Sequence, residues 1–369
     1  MERPGYRAIG TAAEELDTPG VVIDLASLRH NLHTVHGFFM GRPAKLRPHM
    51  KAHLCPSLGL MQLAAGGTMG GVCVAKVGQA EVLSQHGFKD ILVASEVVMK
   101  SKIARLCALA KTIKISVPVD SEENVRDLSE AAVSAGATLD VLVDIDCRLG
   151  RCGVPPGKEA VSLAKVVVKS RGLRFAGLMG YEGCVLHKDF ADTEKEVRSA
   201  IQRVLDTRQM VEREGMEVGV VSVGGTHGYE VAGSMEGVTE VQAGSYALMD
   251  NFYRSYRPQL KMALKVLGTV ISHPEPSVSV VDVGQKGIGA DEGLPMLEGI
   301  KGASVKRCSA EHGIIGIEGR DDGRLDLGRK VWLTPHDSEI CMNLYDYVNV
   351  VEDGRLVGVW EVSARGRYD

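Results

Sequence analysis

The segment ILVASEVVMKSKIARLCALAKTIKISVPVD, residues 91–120, shows the architecture of the chain in miniature. ILVASEVV reads as a strand, SKIARLCALAK as a helix, and IKISVPVD as a second strand. The two strands are nearly continuous apolar runs, as expected where both faces of a parallel sheet are covered. A strand, a helix and a strand in this order form a parallel crossover unit.

The same alternation extends in both directions. Toward the N-terminus lie the strand candidates KLRPHMK and GGVCVAKV, with the helix pattern GQAEVLSQHG after them. Toward the C-terminus lie LDVLVDID, RFAGLMGYEG, GVVSVGG and EVQAGSYALMD. The helix patterns SEENVRDLSEAAVSAG, PGKEAVSLAKVVVKSRG and TEKEVRSAIQRVLDTRQMVEREG stand between strands. That makes eight strands alternating with helices between residues 44 and 250, the size of a (β/α)8 barrel, for which roughly 250 residues is typical. The competing doubly wound open sheet calls for a GxGxxG turn after its first strand, and the sequence has none. The class is therefore α/β, with a (β/α)8 TIM barrel expected over residues 25–254. Beyond about residue 254 the pattern turns to alternating apolar and polar residues, with turns at RDDGR and EDG. Residues 255–369 are expected to form a β-rich domain that residues 1–24 complete, the VVID strand among them.

Composition narrows the function classes. The chain has 369 residues, 44% hydrophobic and 24% charged, with a formal net charge of -4. No long basic block is present, so a nucleic-acid partner is not expected. No signal-peptide h-region and no apolar run near the roughly 20 residues of a membrane span occur, so a cytoplasmic location without membrane contact is expected. The eight cysteines contain no CxxC pair and read as free thiols, mostly packed as small apolar groups.

In such a barrel, chemistry sits at the C-terminal ends of the strands. Lys51 is expected at the end of the first barrel strand, in KLRPHMKAH, flanked by His49 and His53. Burial there lowers an amine's pKa, and such a lysine can condense with a carbonyl. The plainer use of a strand-end lysine is a salt bridge or a phosphate contact. Strands seven and eight are followed by GGTHG, residues 224–228, and QAGSY, residues 242–246. Glycines let backbone N–H groups approach an anion, and Thr226 and Ser245 add hydroxyl donors. Either motif alone is an ordinary glycine turn. Together, opposite a lysine, they suggest pyridoxal phosphate, an aldehyde cofactor with a phosphate tail.

Arg151, in DIDCRLGRCGV, is expected either beside the cofactor ring or paired with Asp144 or Asp146. Tyr181, in MGYEGCVLHKD, could stack on or hydrogen-bond the ring, and His187 is a base candidate for a substrate hydroxyl. In TPHDSEICMNLYD, residues 334–346, the residues His336, Asp337, Glu339 and Cys341 are metal-ligand types. On a strand, Asp337 and Glu339 would face one side; a solvated acidic turn is the alternative.

These motifs, taken together, resemble the D-threonine aldolase and eukaryotic-type D-serine dehydratase group of fold-type III pyridoxal phosphate enzymes, related to alanine racemase. The resemblance runs from TPGVVIDLASLRHNL to VWEVSARG and includes RPHMKAH, VDIDCRLGRCGV, GYEG, GGTHGYE, EVQAGSYALMD, VDVGQKGIGADEGLP and SAEHG. It implies a pyridoxal phosphate barrel of alanine racemase type plus a β domain, as a homodimer, with Lys51 as the cofactor lysine. It places Gly225, Thr226, Gly244, Ser245 and Tyr246 at the phosphate, and Arg151 and Tyr181 near the ring. It also implies a divalent metal (manganese, magnesium or zinc) beside the substrate hydroxyl. Here the segment departs from the family pattern: anchored on MNLYD, Asp337 and Glu339 replace the usual His and Asp or Cys, with His336 one residue off.

The reaction implied is a retro-aldol cleavage of the Cα–Cβ bond of a β-hydroxy-D-amino acid such as D-threonine, to glycine and an aldehyde, or its reverse. The alternatives are a dehydratase giving a 2-oxo acid and ammonia, a racemase, and a barrel that binds the cofactor without catalysis.

Overall fold

The computed structural model describes residues 7–183, 190–318 and 325–369. The chain divides into two compact units. One comprises residues 35–51, 58–244 and 366–369, and the other residues 1–34, 52–57 and 245–365.

The first unit is the barrel. Its strands are β2 (Lys45–Leu46), β3 (Val72–Val74), β4 (Asp90–Val93), β5 (Lys114–Val119), β6 (Leu139–Ile145), β7 (Leu173–Gly180), β8 (Val220–Val223) and β9 (Glu240–Val241). All pairings among them are parallel, in the order β2-β9-β8-β7-β6-β5-β4-β3. Two parallel bridges, Leu46 to Thr68 and His49 to Cys73, join β2 back to β3, and the Cys73 N–H donates to the Pro48 carbonyl at 2.8 Å. The ring thus closes, and the open-sheet alternative falls. All seven residues of β6 are buried, which explains why this strand reads as a continuous apolar run. Inside, Cys73, Leu92, Leu142 and Met179 pack as one cluster, with Ala94, Ala176 and Val220 against it.

The interstrand helices are α2 (Pro56–Ala64), α3 (Val77–Gln85), α4 (Lys100–Leu109), α5 (Glu122–Ala135), α6 (Lys158–Lys169), α7 (Phe190–Arg213) and α8 (Tyr229–Ser234), preceded in the chain by α1 (Leu25–Phe39). α5 shows how local chemistry sets their limits. Ser121 caps it by accepting from the Asn124 N–H at 3.3 Å, Glu122 and Glu123 sit in its positive first turn, and Gly136 ends it at φ 63°. Just past the end of β2, Arg47 is buried between Asp90 and Glu240, each at 2.8 Å. Burial alone would raise the Asp90 carboxyl; Arg47 and Lys114 outweigh it and hold Asp90 below the ordinary carboxylate range.

The second unit is a mixed sheet, nine-stranded among the described residues. Its strands are β1 (Gly20–Asp24), β10 (Leu264–Glu275), β11 (Val278–Val281), β12 (Met296–Leu297), β13 (Ala303–Cys308), β14 (Gly313–Ile317), β15 (Lys330–Thr334), β16 (Tyr347–Glu352) and β17 (Arg355–Glu361). The main order is β13-β14-β11-β10-β1-β16-β17, with β15 on β10 and β12 on β15. β1 pairs antiparallel with β10 and parallel with β16. Val22, Leu267, Val351 and Leu356 form a core with Ala13 and Leu16. The EDG turn joins β16 to β17 with Asp353 and Gly354 both at positive φ, 49° and 71°, the twist a two-residue hairpin loop requires. The RDDGR turn lies outside the described residues. Two short helices, α9 (Gln285–Ile288) and α10 (Ser338–Met342), interrupt the sheet connections. Among the described residues, no helix is long and apolar enough to cross a membrane.

Candidate active site

The parallel strands bring their C-terminal ends to one mouth of the barrel, and most of the predicted residues lie there. Lys51 reaches it by a different route from the one expected. β2 ends at Leu46, because Pro48 lacks an N–H and breaks the ladder. Residues 47–49 stay tied on both sides: the Arg47 N–H donates to the Val241 carbonyl and the His49 N–H to the Ala243 carbonyl, both at 2.9 Å, while the Pro48 carbonyl accepts from Cys73. A 3-10 turn, Met50–Ala52, then delivers Lys51. The lysine therefore sits in a turn past the strand rather than on it, and it is exposed rather than buried. Met50 anchors the turn by packing on Gly59, where a Cβ would overlap its side chain.

Beneath Lys51 runs a polar chain that sequence reasoning missed. The Cys73 thiol donates to Gln242 Oε1 at 3.1 Å, and Gln242 Nε2 donates to Ser222 Oγ at 2.8 Å. Burial pushes the Cys73 thiol well up; the charges of Arg47 and Lys51 only partly offset this, so it is a packed thiol rather than a nucleophile. The only clue in the sequence is that these polar residues interrupt apolar strands.

Arg151 and Tyr181 come together after β6 and β7. The loop carrying Arg151 is closed at its neck: the Asp146 N–H donates to the Val154 carbonyl and the Val154 N–H to the Asp144 carbonyl, both at 2.9 Å. Gly153, at φ 99°, lies against the backbone of Ile145 and Asp146, where a Cβ would clash. The loop turns the Arg151 guanidinium over the Tyr181 ring, 5.5 Å from its centroid. The Asp144 carboxyl is pushed up, first by burial and then by the neighbouring Glu96, with Arg151 pulling the other way.

The GGTHG loop follows β8. Gly224 adopts φ 86°, and its N–H donates to Glu182 Oε2 at 3.2 Å. Glu182 Oε1 lies 3.4 Å from His227 Nε2, with both side chains buried. Gly225 sits against His227 and Tyr181, with contacts at 3.2 Å for a Cβ placed there. Thr226 is buried beside it. Glu182 and His227, also missed, thus brace the loop from below. Their signal was proximity in sequence to Tyr181 and Thr226. Gly244 ends the barrel unit after β9, where the Gln242 N–H donates to the Val223 carbonyl at 3.0 Å.

The remaining predicted residues lie in the sheet unit. Ser245 donates through Oγ to Glu339 Oε1 at 3.0 Å, and Tyr246 is fully buried. The 336–339 segment is a helix start rather than a strand, which corrects the expected alternation of faces. Asp337 caps α10, accepting from the Ile340 N–H at 2.9 Å, and Glu339 sits in its first turn. Ser338 donates to Asp250 Oδ2 from both its N–H and its hydroxyl. Burial raises the Asp250 carboxyl to about 6 against these donors. The His336 ring packs against Gly293 and edge-on to Phe252, 6.0 Å between ring centroids. Among the described residues no group of three or more His, Cys, Asp or Glu side chains gathers to hold a metal. His187 and Cys184 lie outside the described residues. Five cysteines (Cys55, Cys73, Cys107, Cys147 and Cys341) are buried, Cys308 is half-buried, and Cys152 is exposed.

Comparison with known proteins adds the context of relatives. Residues 23–251 match the family model for the alanine racemase N-terminal domain, and residues 263–351 that for a putative serine dehydratase domain. The chain is 37% identical to a D-threonine aldolase from Arthrobacter sp., over 97% of this chain and 95% of that protein. It is 35% identical to a 3-hydroxy-D-aspartate aldolase from Paracoccus denitrificans (strain Pd 1222), over 97% and 94%. The crystal structure of a D-threonine aldolase from Filomicrobium marinum superposes with a TM-score of 0.93 at 35% identity, covering 98% of this chain and 99% of that one.

Proposed function

The chain belongs to the alanine racemase N-terminal domain family, and from that premise we propose that it is a pyridoxal phosphate-dependent aldolase cleaving β-hydroxy-D-amino acids such as D-threonine. The observation that carries the reading is the barrel mouth, where a turn-borne lysine stands at the same end of the barrel as a braced double-glycine loop. The names of its full-length relatives support the same chemistry.

The residues present fit the cofactor. Lys51 is the amine that would hold it. Gly225 leaves its loop without a side chain, so backbone N–H groups can reach a phosphate, with Thr226 and the Gly244 backbone beside it. Ser245 and Tyr246 complete the proposed phosphate set. Once bound, pyridoxal phosphate supplies the electron sink for breaking the Cα–Cβ bond. Arg151 and Tyr181 would bear on the ring, the guanidinium as a fixed cation and the phenol as a hydrogen-bonding face. The Lys51 amine, exposed in its turn, can accept and return a proton at Nζ. His187 is the proposed base for the substrate hydroxyl.

A divalent metal belongs to the reading as a second cofactor, with Asp337, Glu339 and His336 as the proposed ligands. Two carboxylates and an imidazole suit manganese, magnesium or zinc. Among the described residues these side chains do not gather into a three-ligand group. Dialysis against a chelator tests it: restored turnover on adding one of these metals supports the ligand set, and turnover indifferent to chelator removes it. A homodimer acting on a small amino acid in the cytoplasm completes the proposal.

The direct test of the lysine is borohydride reduction of the cofactor-loaded protein followed by peptide mapping. The reading expects the cofactor mass on the peptide containing Lys51. The mass on another lysine, or on none, would overturn it.

A further inference from the structure

Glu182 follows Tyr181 directly past β7, and its side chain is wholly buried while Tyr181 is half-buried. A carboxyl is costly to bury unless polar partners receive it. Both oxygens of Glu182 face the loop after β8. Oε2 accepts from the Gly224 N–H at 3.2 Å, and Oε1 lies 3.4 Å from His227 Nε2. Gly228 comes against the same Oε1, since a Cβ placed there would stand 3.5 Å from it. The turn between is closed by the Gly228 N–H, which donates to the Gly225 carbonyl at 3.2 Å. One carboxyl thus holds both ends of the turn that carries Gly225 and Thr226. The hold falls where the backbone needs it: Gly224 adopts φ 86°, and glycine has no side chain to keep it in one conformation. His227, placed in this way, stands edge-on to the Tyr181 ring, 6.2 Å between centroids, with Gly225 against both. In packing this close, a shift of the loop passes to the ring.

We infer that Glu182 is a positioning residue that sets the loop after β8 for a phosphate and, through His227, seats the Tyr181 ring. An acid is a poor ligand for an anion, so Glu182 serves the phosphate through the backbone it holds. The inference deepens the function proposed above and rests on its reading of this loop as the phosphate cradle. What it requires of position 182 is reach, an oxygen far enough out to meet the Gly224 N–H, rather than acidity.

Two conservative variants separate reach from acidity. Glu182→Gln keeps the reach and an oxygen for the Gly224 N–H but is no longer an acid. Glu182→Asp stays an acid but withdraws it by one methylene. Inorganic phosphate is titrated into the full chain without cofactor, and binding is read by phosphorus NMR. Glu182→Asp is expected to bind phosphate about tenfold more weakly than the wild type, the scale of one lost hydrogen bond. Glu182→Gln should bind it at least as well as the wild type. Equal binding by wild type and Glu182→Asp, or weaker binding by Glu182→Gln than by Glu182→Asp, overturns the positioning of the loop. Should Glu182→Asp fail to fold, His227→Leu takes its place, since it removes the group facing Oε1; weaker phosphate binding is expected, and unchanged binding overturns the inference. In the loaded enzyme at saturating cofactor, kcat for D-threonine should fall in Glu182→Asp as Tyr181 loses its seat, and an unchanged kcat overturns the part played through His227. A wild-type chain that takes up no phosphate overturns the inference together with the cradle beneath it. The expected order of phosphate affinities in a protein without aldolase activity would fail the proposed function alone.

Discussion

The guanidinium of Arg151 lies over the ring of Tyr181, 5.5 Å from its centroid, although the two residues come from loops after different strands. A cation held on an aromatic face by a closed loop is a pre-organised electrostatic element. Replacing Arg151 by Ala is therefore expected to lower kcat/KM for D-threonine by roughly a hundredfold. Arg151→Lys should recover only part of this, because an ammonium lacks the planar fork. Steady-state kinetics of both variants provide the check, and equal losses would deny any role to the charge.

Gly225 is the position where a side chain would crowd the mouth. A Cβ there would press on His227 and Tyr181 at 3.2 Å, tighter than ordinary packing. Gly225→Ala is expected to weaken pyridoxal phosphate binding about tenfold, or about 1.4 kcal/mol, with little change in fold. Equilibrium dialysis against the cofactor reads this directly.

Arg47 supports the barrel from within. Its guanidinium is paired with Asp90 and Glu240, and the Glu240 side chain is almost wholly buried. Removing one partner of such a pair costs about 3–5 kcal/mol, since it strands a buried charge. Arg47→Ala should lose about that much in urea unfolding. Exchanging the whole group for apolar residues should cost far less.

Asp90 gives the network a pH signature. Its carboxyl is held below the ordinary range in the folded chain, so its ionised form contributes stability above an unfolded pKa of about 3.9. That contribution is lost as pH falls through the lower, folded value. Asp90→Asn should therefore show a shallower loss of thermal stability than the wild type on acidification below about pH 4. Parallel curves would mean that Asp90 gains nothing from Arg47.

The barrel was legible in the sequence because burial on both faces writes a strand as an apolar run, as in Leu139–Ile145. The sheet unit was legible through period-two alternation, and the N-terminal VVID strand found its place between β10 and β16. The turn holding Lys51 was not, because β2 has only two residues and the bonds that position the following residues go to Cys73, Val241 and Ala243, far along the chain. The helix start at Asp337 was missed for a related reason. An Asp followed by Ser and Glu is a capping sequence, but the same residue types also serve as metal ligands, and the partner that fixes the helix start, Asp250, is 88 residues away from Ser338. Arg151 and Tyr181 meet only because β6 and β7 end at the same mouth. No local pattern announces such a pair.

The measurement that bears most directly on the account is incubation of the cofactor-loaded protein with D-threonine, with and without added manganese, and identification of the products. Glycine and acetaldehyde are expected in equal amounts, with no such products from Lys51→Ala. Formation of 2-oxobutanoate and ammonia instead, or D-threonine left intact by a protein that carries pyridoxal phosphate, would contradict it.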